Sequence, residues 1–471
     1  MEDLEKLRYS KKNVWQEVER EEIFSFAKGY MDFLNQVKTE REFVAYLQAI
    51  VLDRGFKNLA EVDEVRAGEV FYFNNRNKSF FIGRAKSSLS SGFKVIAAHI
   101  DSPRLDIKSQ PLYEGEGLAL FKTHYYGGIK KYQWVTMPLS LIGVVFRKDG
   151  SRLDLRIGEK AGDPVFTISD LLPHLAAEQM AKTAGKVVEG EKLNLIVGSI
   201  PGAKVKDEVK AGAGNEGKES KESTIKDEIL KYLNMEFGLL EEDFLRAELE
   251  VVPNFKAVDI GFDRGLIGAY GQDDRICAYC ALEAFLASDA GADNLLMAFF
   301  DKEEIGSNGD TGAQSRVLEY LLDLLAEKRG EQVSPLRVLY NSKGISADVN
   351  GVDDPSFDGI FDKLNRGQLG FGPVVSKYTG SRGKYDSSDA SAEYLASLLE
   401  VFDQDGIVYQ FGELGKVDLG GGGTIASYLA QLGMEIVDVG TGLLSMHSPF
   451  ELASKGDLYM TYRLYVSFLK G

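Results

Sequence analysis

The apolar positions near the start of the chain recur with a helical period. Within EEIFSFAKGYMDFLNQVKTEREFVAYLQAIVLDRG they fall three or four residues apart, the spacing that forms one apolar face on an α-helix. The pattern predicts two amphipathic helices, with Gly55 as the stop signal of the second. The next segment, FYFNNRNKSFFIGRA, alternates like a β-hairpin that turns around Asn74 to Asn77.

A short β-branched run, FKVIAAHIDSP, ends in polar residues and a proline, as a buried strand does where it leads into a loop. His99 and Asp101 are therefore expected at a strand end. After residue 251, helical patterns (RICAYCALEAFLAS, SRVLEYLLDLLAEKRG) alternate with strand patterns (NLLMAFFDKEEIG, RVLYNSKGISADVN, MEIVDVG). This alternation predicts an α/β fold, in which a mixed central β-sheet is flanked by helices and function lies at the carboxyl ends of its strands.

The middle of the chain has a different texture, with many short β-like runs such as YQWVTMPLSLIGVVFR and SRLDLRIG. We predict a discontinuous catalytic domain, residues 1–105 and 252–471, and an inserted β-rich domain, residues 106–251. Within the insert, AKVKDEVKAGAGNEGKESKES is rich in Lys, Glu, Gly and Ser. Such a composition buries too little apolar surface to become ordered, so we predict a mobile loop near 203–223.

Composition narrows the class of protein. Hydrophobic residues make up 44% of the chain and charged residues 27%, which is typical of a soluble globular protein. No segment resembles a signal peptide or reaches about 18 uninterrupted apolar residues. We therefore expect no membrane partner. Because the chain has only two cysteines, we also expect a reducing, cytoplasmic location. The net charge of −17 argues against nucleic acid as a partner.

Side chains that bind metals are concentrated at the predicted strand ends. They are His99 with Asp101, Asp273 with Asp274, Glu303 with Glu304, Asp348, and His447. Any one of them has a simpler explanation as a helix cap or a surface group. As a set, following apolar runs such as VIAAH, AFFDKEE, ISAD and LLSMH, they are expected to converge on one edge of the sheet.

These residue types suit a metal site. Zinc takes imidazole nitrogen and carboxylate oxygen, and two ions about 3.5 to 4 Å apart require a bridging carboxylate. Because Glu303 and Glu304 are adjacent, their side chains point in different directions, so one can bind metal while the other serves as general base. Asp101 is placed to orient the imidazole of His99 through its other nitrogen.

Six blocks, AAHIDSPRLDIK, GQDDRICAYCALEAF, FFDKEEIGS, ISADVN, GGGGTIAS and MHSPFEL, resemble in that order the signature blocks of one family. It is the aspartyl aminopeptidase and vacuolar aminopeptidase I family of dinuclear zinc aminopeptidases. The resemblance covers nearly the whole chain, and implies a peptidase that removes residues from peptide amino termini. It also implies two divalent metal ions, zinc or alternatively cobalt or manganese.

The resemblance further implies a role for each residue. The metal ligands would be His99 and Asp348 on one ion, Glu304 and His447 on the other, and Asp273 between them. Glu303 would be the general base. Asp274 stands where the family usually has Asn, which leaves open which of the two aspartates bridges.

The inserted segment resembles the dimerisation domain of the family, whose members form dodecamers built from dimers. His174, in DLLPHLAAEQ, resembles a histidine that reaches the active site of a neighbouring subunit. The resemblance implies that His174 stabilises the oxyanion, with metal binding as an alternative. Without the resemblance, a histidine at a helix start is the simpler interpretation.

The resemblance is weaker for substrate choice. Family members that favour acidic residues have a histidine three positions after the metal-binding Asp and a lysine that closes a GPVxK-like segment. Here these positions are Gly351 and Ser376, although Lys377, Arg382 and Lys384 leave a cationic pocket open. The run Gly420 to Gly423 is interpreted either as backbone approaching the substrate or as a tight loop before the predicted helix TIASYLAQLG.

Two further features receive structural interpretations. Cys277 and Cys280 lie at helical spacing and are predicted to be buried rather than redox-active, and His124 is predicted to be a surface or interface residue. Two other functions compete with the aminopeptidase. One is a dinuclear carboxypeptidase or N-acyl-amino-acid deacylase. The other is a noncatalytic assembly protein, against which the complete ligand set and Glu303 argue.

Overall fold

The computed structural model describes residues 7–202, 223–288, 291 and 293–471. The chain forms two compact units, Met1–Ser102 with Lys256–Gly471, and Pro103–Phe255. The loop predicted near 203–223 lies outside the described residues except for Ser223.

The larger unit is built on a mixed central sheet. Within the described residues it has nine strands, in the spatial order Lys57–Asn58, Val70–Asn75, Ser79–Arg84, Leu295–Phe300, Lys94–His99, Lys343–Ser346, Glu435–Gly440, Val374–Ser376 and Gln410–Phe411. The strands Leu295–Phe300, Lys94–His99, Lys343–Ser346 and Glu435–Gly440 are neighbours and run parallel. Their carboxyl ends therefore meet at one edge of the sheet.

Helices cover both faces of this sheet, because alternate residues of each parallel strand face opposite layers. Ile96 and Ala98 join one core cluster, to which the helices Arg20–Gln36, Glu40–Asp53, Gln272–Ala287, Ala392–Gln404 and Lys455–Lys470 contribute. Val95 and Ala97 join the other, with the helices Val317–Arg329, Pro335–Tyr340 and Ala426–Gln431. The predicted α/β fold with a central mixed sheet flanked by helices is confirmed.

Smaller elements complete this unit. The strands Val258–Ile260, Leu266–Ala269, Glu451–Ser454, Gly442–Leu444 and Asn350–Gly351 form a second sheet in that order. Gly380–Ser381 pairs with Gly421–Gly422, and a short helix spans Val14–Glu17. Among the described residues, no helix has the length and apolar content that crossing a membrane requires.

The inserted unit is mainly antiparallel. Its strands follow the spatial order Arg152–Ile157, Leu139–Phe146, Ala247–Pro253, Arg104–Gly115, Leu118–Tyr126 and Leu195–Gly198. Its helices are Ala177–Met180, Ala184–Val187 and Ile225–Phe237. Thr224 begins the last of these with a capping box, and Gly238 ends it in the left-handed conformation.

Most of the predicted elements agree with the structure. The two amino-terminal helices, the hairpin around Asn74 to Asn77 and the strand ending at His99 are confirmed. The prediction that RVLYNSKGISADVN is a strand is wrong for its first half. Pro335–Tyr340 is a helix, because Ser334 caps it by accepting a hydrogen bond from the Arg337 N–H and Pro335 suits the first turn. The strand is confined to Lys343–Ser346.

Candidate metal centre

The parallel strands deliver acidic and histidine side chains to a common edge. His99 is the last residue of its strand, Glu303 and Glu304 follow the strand that ends at Phe300, and Asp348 follows the strand that ends at Ser346. His447 comes after the strand Gly442–Leu444. The order of the strands brings these residues together although they lie far apart in the sequence.

Asp273 lies at the centre of this cluster. Its Oδ1 atom is 3.1 Å from Nε2 of His99, and its Oδ2 atom is 3.2 Å from Nε2 of His447. Asp273 and Asp274 both have non-helical backbone angles, so the regular part of the helix begins only after them. The two oxygens of one carboxylate therefore face two different imidazoles.

Ligand atoms lie within 4.8 Å of one another in three overlapping groups among the described residues. The groups are His99, Asp273 and Asp348; Asp273, Glu304 and His447; and His99, Glu303 and Glu304. Imidazole nitrogen and carboxylate oxygen are donors that zinc accepts, and Oε1 of Glu304 is buried without a hydrogen-bond partner. This donor chemistry fits zinc, and Asp273 is shared by two groups.

Asp101 holds two parts of the cluster in place. Its main-chain oxygen is 3.1 Å from Nδ1 of His99, an arrangement that suits donation from Nδ1–H and turns Nε2 towards Asp273. Its carboxylate accepts hydrogen bonds from the main-chain N–H groups of Glu303, at 3.1 Å, and Glu304, at 3.2 Å. Asp101 thus fixes both an imidazole and the segment that carries the two glutamates.

Glu451 is a positioning residue that no pattern in the sequence singles out. Its carboxylate accepts hydrogen bonds from the main-chain N–H groups of Gln272, Asp273 and His447. His447 has a positive φ of 64°, a strained conformation for a residue other than glycine, which the bond to Glu451 helps to hold. The available signal was an acidic residue four positions after His447 in the block MHSPFEL.

Burial shapes the acidity of the cluster. Burial raises the pKa of Glu303 to about 7, with Asp101 and Asp273 adding to the rise and His99 opposing it. It also raises the pKa values of Glu304 and Asp348 well above their usual range. A carboxyl whose pKa is close to 7 suits a general base at neutral pH.

For Asp273 and His99, hydrogen bonds together have a larger effect on the pKa than burial has. Burial acts to raise the pKa of Asp273, but hydrogen bonds with His447 and His99 outweigh it and lower this pKa. Burial acts to lower the pKa of His99, but hydrogen bonds with Asp101 and Asp273 outweigh it and raise this pKa well above its usual value. Asp273 is therefore the acid of the cluster that remains ionised most readily.

Several residues singled out in the sequence lie outside the three groups. Asp274 is fully buried beside Cys277, and burial raises its pKa well above the usual range. Cys277 and Cys280 are buried free thiols, as predicted. His124 is exposed on the strand Leu118–Tyr126, as predicted, and His174 is exposed in the short 3-10 helix Pro173–Leu175 of the inserted unit.

The glycine run Gly420 to Gly423 is packed against neighbouring backbone. A Cβ atom at Gly420 would lie 1.9 Å from the main-chain oxygen of Leu414, and one at Gly421 would lie 2.2 Å from that of Gly380. The first two glycines therefore permit close packing of loops. The helix predicted after them is confirmed at Ala426–Gln431.

Comparisons with known proteins identify relatives along nearly the whole chain. The family model described as Aminopeptidase I zinc metalloprotease (M18) matches residues 33–469. A probable M18 family aminopeptidase 1 of Thermotoga maritima is 45% identical over 468 residues, covering 98% of this chain and 100% of the relative. Its counterpart in Clostridium acetobutylicum is 44% identical over 470 residues, covering 97% and 98%.

Solved structures agree with these matches. The crystal structure of an M18 family aminopeptidase from Thermotoga maritima has a TM-score of 0.91 at 44% identity, covering 98% of this chain and 100% of that one. The S. cerevisiae mApe1 dodecamer has a TM-score of 0.73 at 20% identity, covering 94% and 96%, and shows a shared fold. The family resemblance found in the sequence blocks is confirmed. This chain therefore belongs to the M18 aminopeptidase I family of zinc metalloproteases and is a metallo-aminopeptidase.

Proposed function

We propose that the two groups sharing Asp273 hold two zinc ions per chain, and that the protein uses them to release single residues from peptide amino termini. His99 and Asp348 would bind one ion, and Glu304 and His447 the other. The observation that carries this proposal is that the two oxygens of Asp273 face different imidazoles. Cobalt and manganese are alternative ions, because nitrogen and carboxylate donors accept them as well.

When bound, zinc supplies Lewis acidity that polarises a peptide carbonyl and makes a water molecule more acidic. The role of the protein's own side chains in the reaction is proton transfer. Glu303 belongs to neither of the groups that share Asp273, lies against them, and has a pKa of about 7. It is the residue to accept a proton from the attacking water and to return it to the departing amine.

Zinc content and peptidase activity, measured on the same preparations, test the proposal. We expect about two zinc ions per chain and hydrolysis of aminoacyl anilides. Glu303→Gln should keep the zinc and lower kcat by about 10³-fold or more, because the general base is removed and the ligands stay. Loss of zinc in this variant would contradict the assigned role.

The competing functions predict different outcomes of the same assay. Cleavage of N-acetylated amino acids instead of free aminoacyl anilides would identify a deacylase, and release from the carboxyl end would identify a carboxypeptidase. A zinc-loaded protein without turnover of any of these substrates would identify an assembly protein. A cytoplasmic location stays a prediction.

We also propose that the inserted unit pairs chains into dimers and that the dimers assemble into a dodecamer. The segment around His174 exposes several apolar side chains, which are Leu171, Leu172, Leu175 and Met180. Exposed apolar residues grouped in this way are typical of a surface that another chain covers. The mApe1 dodecamer of S. cerevisiae, which shares the fold, supports the larger assembly.

In such an assembly His174 would act in the active site of a neighbouring chain, stabilising the oxyanion. A complementation assay tests this role. His174→Ala and Glu303→Gln chains should each be inactive as pure oligomers, and should regain part of the activity when the two chains are mixed and reassembled. No recovery in mixed oligomers of the expected mass would contradict the role across the boundary.

A further inference from the structure

Gly351 and Leu414 form a contact next to the candidate metal centre. Gly351 lies three residues after Asp348, so the two Cα atoms are no more than about 11 Å apart. Its strand, Asn350–Gly351, runs parallel to Gly442–Leu444, the segment that precedes His447. Gly351 thus follows one candidate metal ligand and pairs with the segment that leads to another.

The side chain of Leu414 uses the space that Gly351 leaves open. A Cβ atom at position 351 would lie 2.7 Å from Cδ1 of Leu414 and 3.6 Å from Cζ of Phe361. A Cβ atom at Gly422 would lie 3.6 Å from Cδ2 of Leu414. Leu414 is 39% exposed, so one side of it packs on glycine while the other stays open.

The polar groups beside Leu414 are neutral or already paired. Asn350 donates to Oγ of Ser376 at 2.6 Å, and this hydroxyl donates to the main-chain oxygen of Gly412 at 3.3 Å. The carboxylate of Glu413 accepts a hydrogen bond from the Tyr378 hydroxyl. This region therefore offers an acidic neighbour and apolar surface.

One cation of the adjoining loop, Lys384, is already engaged. The Nζ atom of Lys384 lies 3.7 Å from the centroid of the Tyr378 ring and 2.8 Å from the carboxylate of Asp389. Redirecting it to a substrate carboxylate would break both contacts. An acidic substrate side chain would then be desolvated beside Glu413 without compensation from Lys384.

We propose that Leu414 is the wall of the pocket that receives the side chain of the N-terminal substrate residue, and that it selects an uncharged apolar side chain over Asp or Glu. The inference rests on the proposed aminopeptidase function. An apolar side chain gains contact with Leu414 and loses no hydration of a charge. The specificity of the enzyme would therefore be set by Leu414 together with the missing side chain at position 351.

Anilides of Leu, Ala, Asp and Glu, assayed with the zinc-loaded full chain, test the inference. We expect kcat/KM for the Leu substrate to exceed that for the Glu substrate by about tenfold or more. Leu414→Ala should lower kcat/KM about tenfold for the Leu substrate and change it less than about twofold for the Ala substrate, whose side chain is too short to reach the wall. Leu414→Lys should raise the ratio of Glu to Leu hydrolysis.

Leu419→Ala is the matched control, because Leu419 lies in the same loop and is 70% exposed. This substitution should leave kcat/KM unchanged for all four anilides. The inference is overturned if the wild-type chain prefers Glu, or if Leu414→Ala lowers the Leu and Ala rates equally. If none of the anilides is hydrolysed, the proposed aminopeptidase function itself fails. The unfolding temperature of each variant separates misfolding from a change in specificity.

Discussion

The two halves of the candidate metal centre differ in their access to solvent. On one side of Asp273, the side chain of His99 is 1% exposed and sits at the end of a central strand. On the other side, the side chain of His447 is 36% exposed and belongs to a loop with left-handed backbone. One carboxylate thus joins a half built into the core to a half that is open.

Because of this difference, one half of the centre is rigid and the other is accessible to solvent. The His99 half is fixed by strand pairing and by Asp101, so an ion there would be held by a rigid, water-poor shell. The His447 half lies in a loop, where the main-chain N–H of His447 donates a hydrogen bond to Glu451. We expect peptides and exchanging ions to approach through the open half. The buried half should keep the same geometry throughout.

The largest effect should come from removing the connection between the halves. Asp273→Asn takes away the charge that both imidazoles face, so we expect loss of zinc and a fall in kcat/KM of about 10⁴-fold or more. Asp274→Asn is the matched control, an equally buried neighbour that belongs to none of the three groups. If Asp274→Asn loses zinc while Asp273→Asn keeps it, the roles of the two aspartates are reversed.

Alanine substitutions in the two halves should differ in how much they lower the free energy of unfolding. His99→Ala leaves a cavity in the core, and we expect it to lower the free energy of unfolding by about 2–4 kcal/mol even with chelator present. His447→Ala, at a partly exposed position, should cost less than about 1 kcal/mol under these conditions. Urea unfolding with and without zinc measures both effects. Equal costs would show that burial does not distinguish the halves.

The pH dependence of the zinc-depleted protein should have a defined sign. Burial raises the pKa of Glu303 from 4.5 to about 7, so the folded chain holds a proton there that the unfolded chain releases. The contribution of Glu303 to stability should therefore fall as the pH rises from about 4.5 to 7 and change little above. Thermal unfolding with chelator should show a drop of a few degrees, and Glu303→Gln should reduce the slope by the share of one proton.

The smallest effect should come from a contact behind the glutamates. Thr311 donates to the carboxylate of Asp301 at 2.8 Å and accepts a hydrogen bond from Lys302, whose φ of +71° turns the chain into Glu303. Thr311→Val removes both bonds at constant shape, and we expect kcat to fall about three- to tenfold with KM unchanged. Thr311→Ser should restore kcat, and failure of this rescue would argue against a positioning role.

The pattern of the sequence predicts the elements of this protein well where burial follows a simple period. The buried strand at His99 and the amphipathic amino-terminal helices are confirmed because their apolar residues have a single direction to face. The helix Pro335–Tyr340 is not predicted, because a short apolar run fits the period of a helix and that of a strand equally well. Only the capping residue, Ser334, indicates a helix here.

The sequence by itself determined the types of side chain at the strand ends and, through its ordered blocks, the family. Only the tertiary structure decided that both oxygens of Asp273 face imidazoles while Asp274 turns towards Cys277. It also decided that Glu451 holds the backbone of the site and that Leu414 fills the space left by Gly351. The physical reason is that a periodic pattern specifies which face of an element is buried, whereas the packing of distant segments sets the direction of each carboxylate and the shape of each pocket.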